Sequence, residues 1–61
     1  MRINSLSPEE SAVVYYYAQG LDNAQIDEAQ GWPRLKANGH GVNALTKLGL
    51  NSREEVAGYL T

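Results

Sequence analysis

The fold is decided by residues 22–49, DNAQIDEAQGWPRLKANGHGVNALTKLG. Asp22 is an N-cap residue with Gln25 at the third helical position, so each side chain can accept from the other's backbone N–H. Ala24, Ile26 and Ala29 give a modest apolar face and Gly31 a left-handed stop, which predicts a short helix over 23–30. Trp32-Pro33 then restarts the chain, because proline suits a first helical turn and disfavours helix at the residue before it. The spacing predicts a third helix over 33–48 that carries Leu35, Val42, Leu45 and Leu48 and stops at Gly49. A short helix, a tight turn and a longer helix make a helix-turn-helix the natural architecture.

The flanks are helical as well. Ser7-Pro8-Glu9-Glu10 is a capping box with proline at the first helical position, and apolar residues at 13, 14, 16, 17 and 21 follow at helical spacing. The expected first helix is 8–19, with Leu6 stapled onto it from outside the cap. A second box, Ser52-Arg53-Glu54-Glu55, opens a last helix over 53–60 that carries Val56, Ala57, Tyr59 and Leu60. The expected fold is all-α, four helices in one domain over residues 1–61, joined by three- to four-residue connections.

Sixty-one residues support only a thin core, since a chain of this length buries about 60% of its unfolded surface. The absence of cysteine excludes disulfides, thiolate zinc sites and cysteine nucleophiles. No apolar run approaches the roughly 20 residues that cross a bilayer, and Met1-Arg2-Ile3-Asn4 opens no signal peptide, so the expected setting is cytoplasmic, away from membranes.

The net charge of −2 hides an asymmetry. Residues 1–30 set Arg2 against Glu9, Glu10, Asp22, Asp27 and Glu28, a balance of −4. Residues 31–53 hold Arg34, Lys36, Lys47 and Arg53 and no acid, a balance of +4. Such polarity steers a polyanion onto one face.

At this point the residues resemble a known family, the LuxR-type (GerE/NarL-like) helix-turn-helix DNA-binding domain of bacterial transcription regulators. The likeness runs without gaps over about residues 6–60. Leu6-Ser7-Pro8-Glu9-Glu10 is similar to the family's L-[ST]-x-x-E opening, and Ala18-Gln19-Gly20-Leu21 to its A-x-G-x turn. Asn23 and Ile26 fall on its N-x-x-I positions, and His40 on the histidine of its recognition helix. Lys47-Leu48-Gly49-Leu50 matches its K-L-G-V ending, and Ser52, Arg53 and Glu55 its S-R-x-E start of the last helix. The resemblance implies a transcriptional regulator whose helix 33–48 enters the major groove of duplex DNA. Its last helix would form a dimer contact through Val56, Tyr59 and Leu60.

The departures cluster where DNA would be touched. Asp27 stands where the family has alanine, Gln30 where it has a buried leucine, and Pro33-Arg34-Leu35-Lys36-Ala37-Asn38 where it has S-x-x-T-V-K. Gly39 and Gly41 flank His40, and two glycines cost a helix roughly 2 kcal/mol relative to alanine, so an irregular recognition helix is expected. Asn38 takes the position of a basic base-reading residue and can pair with both edge groups of adenine. Arg34, Lys36, Lys47 and Arg53 are the candidate phosphate contacts.

Nothing here points to an enzyme or a cofactor. Ser11, His40 and Asp27 make a catalytic set only on paper, and a lone histidine builds no transition-metal site. In Tyr15-Tyr16-Tyr17 the side chains diverge by about 100°, so Tyr16 and Tyr17 should pack inward and Tyr15 face solvent. Trp32 is expected to cap the core over the second and third helices. The alternative to DNA binding is a degenerate helix-turn-helix that keeps the fold and acts as a protein-interaction or antagonist module.

Overall fold

A computed structural model describes residues 6–60 of the chain, without the side chain of Leu60. Four helices follow in order: α1 (Pro8–Ala18), α2 (Asn23–Gln30), α3 (Lys36–Leu48) and α4 (Glu55–Leu60). The class is all-α, as the sequence predicts. α1 packs against α3 and α4, and α2 packs against α3.

Both cap signatures at the first two helix starts form as written. Ser7 Oγ accepts from the Glu10 N–H and Glu10 Oε1 from the Ser7 N–H, closing the box at α1. Asp22 and Gln25 do the same at α2, with distances of 2.8 and 2.9 Å. Gly31 and Gly49 end α2 and α3 in the left-handed region, at φ 70° and 74°, where a side chain would be strained.

α3 begins three residues later than its sequence predicts. Pro33, Arg34 and Leu35 form a turn, and Leu35 sits at φ 71°, a left-handed conformation that costs a branched residue. The cause lies on α2. Asp27 is buried, and its carboxylate accepts from the Leu35 N–H at 2.9 Å and the Ala37 N–H at 2.7 Å. It caps α3 from outside, where Leu35 has no side chain able to do so.

The other boundaries shift less. α1 stops at Ala18, with Gln19 as its cap. α4 starts at Glu55 because Ser52 to Val56 form a tight turn, in which the Glu55 N–H reaches the Ser52 carbonyl and the Val56 N–H that of Arg53. Gly39 and Gly41 do not break α3, which runs continuously through both.

The face that α3 buries differs from the expected one. Leu35 and Val42, read as core, are 66% and 55% exposed. The seam is instead Ala37, Gly41, Ala44 and Leu48, whose i, i+4, i+7, i+11 spacing forms one stripe. The small residues Ala37, Gly41 and Ala44 let α3 approach α1 and α2, and Leu6, Val13, Val14, Tyr17, Ile26 and Val56 complete the core. Tyr17 lies over Gly41: a Cβ there would overlap the phenol oxygen and stand 2.9 Å from Cζ. Tyr15 is exposed and Tyr16 half-buried, as the spacing predicts.

Candidate nucleic-acid interface

The outer side of α3 is open along its length. Asn38, Gly39, Val42, Asn43 and Thr46 are exposed, while the seam turns inward. Thirteen residues make a helix about 20 Å long, which fits a groove about 12 Å wide. This face presents amides, a hydroxyl and one isopropyl group, and no acid.

Cations stand at its N-terminal end. Arg34 is exposed in the turn and has no ion-pair partner among the described residues. Lys36 is exposed in the first turn, its ammonium 5.5 Å from the Trp32 ring centre. Trp32 also meets His40, one turn further along α3, with ring centres 5.3 Å apart. The tryptophan is half-buried against the core, so it holds one flank of α3 while keeping Lys36 at the rim.

The remaining two candidate phosphate contacts, partly exposed, are engaged by groups of the protein itself. Lys47 Nζ donates to Glu10 Oε1 at 2.7 Å, and that carboxylate is buried. Arg53 donates from Nη1 to the Leu21 carbonyl at 3.3 Å and lies 3.8 Å from Glu54, tying the start of α4 to the α1–α2 turn. Of the residues expected to pair protomers, Val56 is fully buried in the core, because its side of α4 packs on α1. Tyr59 is 43% exposed, and the side chain of Leu60 lies outside the described residues.

Asn38 is not an isolated amide. Its Oδ1 accepts from Asn23 Nδ2 at 3.3 Å, and Asn23 Oδ1 accepts in turn from the Tyr17 hydroxyl. Burial pushes the Tyr17 phenol above its ordinary value of 10, so it stays a protonated donor at neutral pH. Gln30 is exposed, not buried as the family pattern implies, and accepts from the Tyr16 hydroxyl at 3.2 Å. Asn23, half-buried, and the exposed Val42 and Asn43 also belong to this region, though motif reading singled out none of them for binding. Helical spacing would have found Val42, four residues on from Asn38. An open hollow of about 500 Å³ adjoins the turn, bounded by Asn23, Glu28, Trp32, Arg34 and Leu35 among others.

The Glu10–Lys47 pair contributes to the acid response. The bond from Lys47, then that from the Ser7 N–H, holds the Glu10 carboxyl below its ordinary value of 4.5, against the opposing effect of burial. A lowered native pKa means that the folded state favours the ionised form. This stabilisation is fully present above about 4.5 and is lost as pH falls through the lower native value. Thermal melts between pH 6 and pH 3 should therefore show a falling melting temperature, and Glu10→Gln should flatten part of that fall. An identical pH profile for the variant would refute the assignment.

Among the described residues no group of three or more histidine, aspartate or glutamate side chains is placed to hold a metal ion, and no helix is long and apolar enough to cross a membrane. Comparison with protein-family models, curated proteins and solved structures finds no match to the chain.

Proposed function

We propose that this chain binds double-stranded DNA as a LuxR-type helix-turn-helix domain of a cytoplasmic transcriptional regulator, with α3 in the major groove. The observation that carries the reading is the outer face of α3: continuous, exposed, free of acids and lined with hydrogen-bonding groups, with Arg34 and Lys36 at its entry. Asn38, Asn43 and Thr46 can address base edges, and Val42 a thymine methyl group. Asp27, the nearest acid on α2, spends its charge on the backbone of α3 and does not face the groove. A two-fold contact through α4, which the resemblance also implies, would centre on Tyr59.

The charge inventory sets the test. With Lys47 and Arg53 paired within the protein, two of the four candidate cations, Arg34 and Lys36, remain for phosphate. Log affinity against log salt should then have a slope of about −2 per protomer. Fluorescence anisotropy with pooled random duplexes, starting near 50 mM salt, measures it. Lys36→Ala should flatten the slope by about one unit and weaken binding to all sequences alike. Lys47→Ala should leave the slope unchanged.

The second reading, a protein-interaction module, draws on Leu35 and Val42. These apolar residues, 66% and 55% exposed, stand seven positions apart on the outer side. Absence of duplex binding at tens of micromolar protein would transfer the proposal to this face, since a helix that reads no DNA has no use for its acid-free surface.

A further inference from the structure

We infer that Asn23, on α2, is a specificity-determining positioning residue that fixes the polarity with which Asn38 meets a base. The inference rests on the DNA-binding reading and deepens it.

One chain of hydrogen bonds runs from the core to the surface. Gly41 leaves space on the α3 seam for the Tyr17 phenol, which is 6% exposed. That hydroxyl donates to Asn23 Oδ1. An amide whose oxygen is taken in this way turns its NH2 the other way, and Asn23 Nδ2 donates to Asn38 Oδ1 at 3.3 Å. The same logic applies once more at Asn38. Its oxygen is turned towards α2, so its two N–H donors face outwards from α3.

A donor pointing into the major groove seeks an acceptor. Guanine offers two, N7 and O6, on adjacent positions of one edge. Adenine recognition by asparagine needs Oδ1 to accept from N6–H while Nδ2 donates to N7. That pose requires Asn38 to rotate away from Asn23 and break the bond. The arrangement therefore favours guanine under Asn38 and disfavours adenine, although asparagine on its own is the adenine reader. Asn23 touches no base in this scheme and acts through Asn38.

Selection from random duplexes, run in parallel on wild type and variants, tests the assignment. Circular dichroism confirms that each variant is folded. In wild type, one position should show a guanine preference of about tenfold that disappears in Asn38→Ala. Asn23→Ala should reduce that preference below about threefold, with other positions unchanged. Tyr17→Phe should act in the same direction.

Asn23→Asp is the decisive arm. A carboxylate still accepts from Tyr17 but cannot donate, so Asn38 must turn its NH2 inwards and present its oxygen. The preference should move from guanine to the donor edges of adenine or cytosine, an inversion that a merely structural role would not produce. An adenine preference at the Asn38-dependent position in wild type, or an unaltered preference in the Asn23 variants, would overturn the inference and leave DNA binding standing. Failure of wild type to enrich any duplex would overturn both.

Discussion

Asp27→Ala should cost this domain about 3 kcal/mol, although alanine is the residue that the LuxR resemblance places there. The carboxylate accepts from two backbone donors at the start of α3, Leu35 N–H at 2.9 Å and Ala37 N–H at 2.7 Å. Removing it leaves both unsatisfied, and Ala37 is fully buried, so water cannot replace the bond there. Each such loss costs about 1–3 kcal/mol. The total stability expected of 61 residues is only about 3–9 kcal/mol. The melting temperature should fall by about 12–24 °C, and a fraction of the variant should be unfolded at 25 °C. Asp27→Asn keeps one acceptor oxygen and should lose roughly half as much. A melting temperature within about 3 °C of wild type for Asp27→Ala would refute the cap.

The same aspartate explains a departure that looked damaging. A recognition helix of the resembled type opens on a serine, which can cap it locally; here Pro33 holds that position and cannot. The cap has moved six residues back, from position 33 to Asp27 on α2, and it is accompanied by a left-handed Leu35 at φ 71°. Substituting Pro33→Ser should therefore soften the loss in Asp27→Ala and do little on its own.

What the sequence made legible was local. Ser7 with Glu10 and Asp22 with Gln25 lie within one turn of each other, so their reciprocal bonds could be read from spacing alone. So could Gly31 and Gly49, whose position after an apolar period implies a left-handed stop. The partners of the charged residues lie far apart in the chain and left no such trace. Lys47 meets Glu10 across 37 positions and Arg53 meets the Leu21 carbonyl across 32, so a basic stretch of four became a basic entry of two. The core face of α3 was misread for another reason. Periodicity arguments weigh large apolar side chains, and Leu35 and Val42 outbid Ala37, Gly41 and Ala44. Close helix contact favours the small ones, because the bulk at this seam comes from Tyr17 on α1.

The two glycines of α3, which look alike in sequence, should respond in opposite directions to the same substitution. Both sit inside a continuous helix, where alanine is worth about 1 kcal/mol over glycine. At Gly39 an added Cβ meets nothing within 4 Å, so Gly39→Ala should gain that amount and raise the melting temperature by about 4–8 °C. At Gly41 the Cβ would overlap the Tyr17 hydroxyl and stand 2.9 Å from Cζ. The ring has no free exit, since it is 6% exposed and its hydroxyl is bonded to Asn23. Overpacking of this kind costs about 1–3 kcal/mol, to which the broken Tyr17–Asn23 bond adds about 1. Net of the helical gain, Gly41→Ala should lose about 2 kcal/mol, which places the two variants about 3 kcal/mol apart. Tyr17→Phe supplies the check on cause. In wild type it deletes a bonded hydroxyl and should destabilise; in the Gly41→Ala background it removes the atom that overlaps most and should recover part of the loss. A double-mutant cycle would read this as a coupling of about 1 kcal/mol or more between residues 17 and 41. Equal gains at both glycines, with no coupling to Tyr17, would mean that α3 does not lie against α1 at this distance.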